Sequence, residues 1–103
     1  MILHDLSFTF TAKLWIYQGK GAWHFLNLPK EAADEIRFFN ASAKGFTPLK
    51  VTATIGETIW KTAIFPDSKS GSFVLVVKLS VRKTEGLKVG DDVTATLKVQ
   101  SEL

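Results

Sequence analysis

Between Leu6 and Tyr17 the apolar residues fall on alternate positions, Phe8, Phe10, Ala12, Leu14 and Ile16, with Ser7, Thr9, Thr11 and Lys13 between them. A period of two over that length describes a strand with one buried face, because a helix would need apolar residues every three or four. The same alternation returns in Leu49, Val51, Ala53 and Ile55, and again in Val93, Ala95, Leu97 and Val99. A chain with several such segments has to pack or curl a sheet around one apolar face. Trp15 and Tyr17 depart from the pattern, since their parity puts two large aromatics on the nominally polar face.

The remaining elements follow from turn chemistry. After QGKG a short strand runs from Ala22 to Leu28, forming a hairpin with the first. Pro29 suits the first turn of a helix, Glu31 favours its positive end, and Ala32, Ala33, Ile36 and Phe39 make one apolar stripe, which predicts a helix from Pro29 to about Asn40. A loop covers 41–48. The strand Leu49 to Ile55 turns at Gly56-Glu57 into Thr58 to Phe65, where Trp60, Thr62 and Ile64 share one face. PDSKSGS, Pro66 to Ser72, reads as a turn. The five consecutive apolar residues of SFVLVVKL predict a strand buried on both faces. A short helix from Ser80 to Glu85 closes at Gly86, and VGDDV turns into the last strand.

Strand, strand, helix, strand, strand, strand, short helix, strand is the resulting order: a mainly β chain of six strands, expected as a closed or half-closed barrel with one longer and one short helix capping its ends. At 103 residues it is expected to be a single domain, 1–103. Its 46% hydrophobic share excludes a disordered chain. With no cysteine there are no disulfides and no thiolate chemistry. Neither a secretory signal nor a membrane-length apolar run is read, so the expected location is cytoplasmic, without a membrane partner.

The assembled pattern resembles a known family. FTAKL with GAWHFLNLP, LKVTATIG with a following FP, then GSFVLVVKLSVRK and GLKVGDDVTATL are similar to a family of small bacterial domains of unknown function, some members of which are fused to a bacteriocin-protection-like segment. The resemblance implies a double-split β-barrel, a six-stranded pseudobarrel shared in outline with the AbrB and MazE transcription-factor group. It implies no activity. Where the family segment matching VLVVKLSVRK carries a proline and more polar residues before the arginine, this chain has Val76 and Leu79, so a functional face there would be altered or covered by a partner.

Chemistry-bearing motifs are sparse. GKGAW is neither a P-loop nor a dinucleotide fingerprint, and its glycines are expected to serve the hairpin loop. Trp23 is expected in the core at the barrel end. His24 titrates near neutrality but has no histidine nearby in sequence, since His4 sits near the start. Asp34 and Glu35 diverge on a helix, and Asp91 and Asp92 belong to a turn. No metal-ligand spacing, nucleophile elbow or cofactor motif appears, so no enzymatic activity, cofactor or metal is expected.

The net charge of +3 tolerates an anionic partner without requiring one. Lys78, Arg82, Lys83 and Lys88 form a basic segment, and Trp15, Tyr17 and Trp60 are surplus aromatics suited to a pocket or an interface. The expected function is therefore a non-enzymatic binding or interaction domain for a small ligand or a protein partner, using Trp15, Tyr17, His24, Trp60, Lys78, Arg82 and Lys83. Nucleic acid is the alternative partner, by analogy with the fold relatives; a homodimer across the aromatic patch is a further one, and an enzyme using His24 ranks last.

Overall fold

The computed structural model describes residues 6–19, 22–39 and 48–99. His4, Lys20, Gly21, Asn40 and the expected loop over 41–47 lie outside them. Seven strands and two helices follow one another as β1 (Leu6–Lys13), β2 (Trp15–Ile16), β3 (His24–Asn27), α1 (Lys30–Phe39), β4 (Leu49–Ile55), β5 (Thr58–Asp67), β6 (Ser72–Val76), α2 (Leu79–Glu85) and β7 (Asp92–Val99). All strands belong to one antiparallel sheet in the order β1-β7-β4-β5-β6-β3-β2, curled as a half-barrel.

The strand count is seven rather than the expected six, and the cause is Leu14. The single strand expected from Leu6 to Tyr17 leaves its ladder there: Leu14 N–H donates to Asp91 O at 3.0 Å, and Leu14 O accepts from Gly90 N–H at 2.8 Å. The backbone is thus satisfied by the turn before β7 instead of by a strand. Before this point the chain pairs with β7, from Leu6↔Val99 to Lys13↔Asp92; after it, Trp15 and Ile16 pair with Phe25 and His24 of β3. Both ends of the sheet are therefore consecutive pieces of one stretch of chain.

Alternation decides which face of each strand is buried. Phe10, Val51, Ala53, Ile55, Trp60, Ile64, Leu75, Val93, Ala95, Leu97 and Val99 point into a common core. Ala53 lies opposite Trp60 in the β4–β5 register, so a small side chain leaves room for an indole. The outer face of β1 and β7 is polar, and its threonines pair across the strands, Thr9 with Thr96 at 2.8 Å and Thr11 with Thr94 at 2.7 Å.

Helix α1 buries Ala32, Ala33 and Ile36 and begins immediately after Pro29, whose carbonyl accepts the Ala33 N–H at 3.1 Å. Arg37, on the exposed side of the helix, donates from Nη2 to Gly71 O at 2.7 Å and lies 5.5 Å from the Phe73 ring centroid. It fastens the turn between β5 and β6. That turn is shorter than expected, because β5 continues through Pro66, which lies opposite Phe73. Among the described residues β4 does not accompany β5 past Ile64, and no partner there takes a bond from Pro66, which has no N–H. The short helix α2 starts one residue early, at Leu79, and ends as expected at Gly86, whose φ of 67° is left-handed.

No helix among the described residues is long and apolar enough to cross a membrane.

Candidate functional site

The site is built on the outer face of the sheet, where β2, β3, β6 and β5 lie side by side. Trp15 stands opposite Phe25, Phe25 opposite Val76, Asn27 opposite Val74, and Val74 opposite Phe65. This register sets one row of apolar side chains across four strands, on the face turned away from the core. Val74 is 7% exposed yet stands outside the core cluster. It lies beneath the aromatics and forms the floor of a cleft of about 510 Å³, walled by Trp15, Tyr17, Trp23, Phe25, Phe65 and Pro66.

The wall aromatics keep substantial exposure: Trp15 36%, Tyr17 50%, Trp23 51% and Phe65 40%. Each has a local reason for its position. Trp15 Nε1 donates to Asn27 Oδ1 at 2.7 Å, and its ring meets Phe25 at 5.1 Å between centroids, tilted by 48°. Tyr17 N–H donates to Trp23 O at 2.8 Å, extending the hairpin beyond the assigned strands. Gly19 leaves space for the Tyr17 ring, which a Cβ at that position would strike. In the same loop Ala22 takes a left-handed backbone, with φ 48°. At the far rim Asp67 Oδ2 accepts from the Ser70 N–H at 3.2 Å and its hydroxyl at 2.8 Å, ordering the turn that carries Ser68 and Lys69.

A second, smaller pocket of about 220 Å³ adjoins the first and shares Trp23 and Val76 with it. Its polar lining is His24, Lys78 and Arg82. His24 Nδ1 donates to Ala22 O at 3.0 Å, because a carbonyl can only accept, which leaves Nε2 for any further contact. Arg82 Nε donates to Val77 O at 3.1 Å, so the guanidinium is held by one edge. Among the described residues neither Lys78 nor Arg82 is in an ion pair, and none that lines the pocket is acidic.

Of the residues singled out from sequence, Trp15 and Tyr17 meet in the cleft, and His24, Lys78 and Arg82 meet in the pocket beside it. Lys83 is exposed and lines neither cavity. Trp60 is 9% exposed and belongs to the core, so it takes no part in the cleft. Its strand turns the Trp60 face inward and the Phe65 face outward. Trp23, expected in the core, is half exposed and separates the two cavities. Phe25, Phe65 and Pro66 were not singled out at all. A signal existed for two of these four: Trp23 and Phe25 share a parity, and a hairpin places that parity beside Trp15 and Tyr17. Nothing local pointed to Phe65.

The arrangement is suited to binding. His24 bonds a backbone carbonyl, with no carboxylate partner among the described residues, and no group of three potential metal ligands occurs among them. Aromatic walls over an apolar floor can hold a planar apolar group by stacking and burial. Over residues 10–97, a span that contains both cavities, the chain matches the family described as Domain of unknown function (DUF1905). No curated protein matches it.

Proposed function

The chain belongs to the DUF1905 family of unknown function, and from that premise we propose that it is a non-enzymatic binding domain whose aromatic cleft takes a small ligand with a planar apolar part. One observation carries the reading: Trp15, Tyr17, Trp23, Phe25 and Phe65, from three different stretches of chain, surround a cavity of about 510 Å³ floored by a buried valine. Pockets for small ligands have volumes of roughly 300–1,000 Å³, mostly apolar linings and a few polar groups. A fold that exposes this many aromatics on one face without covering them forgoes their burial, roughly 25 cal/mol for each Å² of apolar surface. A bound ligand recovers it.

A double-split barrel belongs to the same reading. What supports it is that β1 and β2, at opposite ends of the strand order, are consecutive in the chain.

The test uses the indole Nε1–H resonances of the three tryptophans. Titration with a neutral probe, 2-naphthylacetamide, shifts those of Trp15 and Trp23 and leaves that of Trp60 in place. The reading fails if no indole signal moves at millimolar probe. It fails equally if the Trp15 and Trp23 signals move with protein concentration alone while sedimentation shows dimers, because the face is then covered by a second copy.

Single-stranded nucleic acid is the second reading, favoured by the juxtaposition of exposed aromatics with Lys78 and Arg82. Bases stack on such rings and cations follow the backbone. Fluorescence anisotropy with a mixed single-stranded oligonucleotide then shows binding that weakens steeply with salt. A flat titration at low salt removes it.

A further inference from the structure

The two cavities are not independent, since Trp23 and Val76 line both. We infer that they are the two ends of one ligand site, and that the ligand is an aromatic carboxylate: its ring lies in the cleft and its carboxylate in the smaller pocket, met by Lys78 and Arg82. This rests on the cleft reading above and adds the chemical class of the ligand.

Charge distribution carries the assignment. At the Phe65 end of the cleft Lys69 shares the lining with the Asp67 carboxylate, so that end has no excess of either sign. At the Trp23 end the smaller pocket holds Lys78 and Arg82 and, among the described residues, no acid. The ligand therefore has one direction of entry that satisfies it, ring toward Phe65 and anion toward Arg82. The guanidinium points to a carboxylate in particular. Its Nε is already bonded to Val77 O, which leaves the two terminal nitrogens as a parallel pair of donors, the geometry that matches two carboxylate oxygens. The pocket's volume, about 220 Å³, has room for such a group.

The experiment compares two probes of equal shape, 2-naphthylacetate and 2-naphthylacetamide, by isothermal titration calorimetry and by indole resonances at pH 7.5. The expected result is a preference of about tenfold for the acid, the gain typical of hydrogen bonds to a charged group. Arg82→Met abolishes the preference, so that acid and amide bind alike. Lys78→Met reduces the preference in the same way, and serves as the second variant because Arg82 also holds the Val77 carbonyl. Lys83→Met, outside both cavities, leaves the preference intact.

Equal binding of acid and amide overturns the anion subsite and leaves the cleft standing. Binding of neither probe overturns the cleft reading, and the subsite with it. An acid preference that survives Arg82→Met and Lys78→Met, or that Lys83→Met lowers as much, places its origin in the overall charge and sinks the assignment. Tighter binding of 2-naphthyl phosphate than of the acetate overturns the carboxylate as the class.

Discussion

Trp15 Nε1 donates to Asn27 Oδ1 at 2.7 Å across the short β2–β3 pair. The bond ties an aromatic wall of the cleft to a strand that also pairs with β6, so the indole is oriented before any ligand arrives. Pre-orientation of this kind lowers the ordering cost of binding.

Asn27→Ala removes the acceptor and leaves the indole free to rotate. The partly exposed bond is worth about 1 kcal/mol, which in a chain of this size lowers the melting temperature by roughly 4–8 °C. Calorimetry gives that shift, and the affinity for 2-naphthylacetamide falls with it. An unchanged affinity would show that the Trp15 orientation is irrelevant to the cleft.

Gly19→Ala pushes a Cβ into the Tyr17 ring. The ring is half exposed and swings away, so thermal stability drops by only about 1 kcal/mol, within the range of ordinary surface and overpacking substitutions. Probe binding suffers more, because a wall of the cleft has moved. A variant that binds as the wild type does shows that Tyr17 makes no ligand contact.

Val74 and Leu75 are neighbours in sequence and both buried, but on opposite faces of β6. Leu75→Ala opens a cavity in the core and costs about 2–5 kcal/mol. Val74→Ala deepens the open cleft, where water can enter, and costs about 1 kcal/mol. Urea denaturation of the two variants gives the order; equal losses would place Val74 in a sealed core instead.

The three tryptophans fall into two classes, with Trp60 buried and Trp15 and Trp23 exposed. Acrylamide quenching of the wild type is therefore biphasic. Trp60→Phe removes the protected class and destabilises by about 1–3 kcal/mol through lost packing, whereas Trp23→Phe removes accessible emission at less than about 0.5 kcal/mol. Quenching that is uniform in the wild type contradicts this division.

Ala22 holds a left-handed backbone, with φ 48°, beside Trp23. Such a conformation costs an ordinary residue about 1–2 kcal/mol and a β-branched one more. Ala22→Gly is accordingly tolerated, with stability unchanged or raised by about 0.5 kcal/mol once the greater freedom of the unfolded chain is included. Ala22→Val loses about 2 kcal/mol. Melting temperatures of the pair check the sign, and a valine variant as stable as the glycine one refutes the backbone assignment.

Much of the fold is legible residue by residue. The alternation around Phe8, Val51 and Val93 locates strands, Pro29 and Ala32-Ala33-Ile36 a helix, and Gly86 the end of another. Leu14 is a different case: its parity fits the strand perfectly, and nothing beside it in sequence announces that its backbone bonds belong to Gly90 and Asp91. A break of this kind is set by a partner more than seventy residues away in sequence.

The site divides along the same line. Periodicity of two fixes which residues share a face of one strand, and so placed Trp15 with Tyr17 and Trp60 with Ile64. It does not say which face of β5 turns inward, because both faces, Trp60 with Ile64 and Ile59 with Phe65, are apolar. Ala53 across the ladder makes room for the indole, and that pairing settles it. By itself, then, the sequence determined most of the elements and the mainly β class, both of which are local or compositional properties. Only the tertiary structure decided that Phe65 meets Trp15 and Trp23, and that His24 meets Arg82. The reason is physical: those meetings depend on β6 lying between β5 and β3, and strand order is chosen by burial over the whole sheet, which no short window of residues encodes.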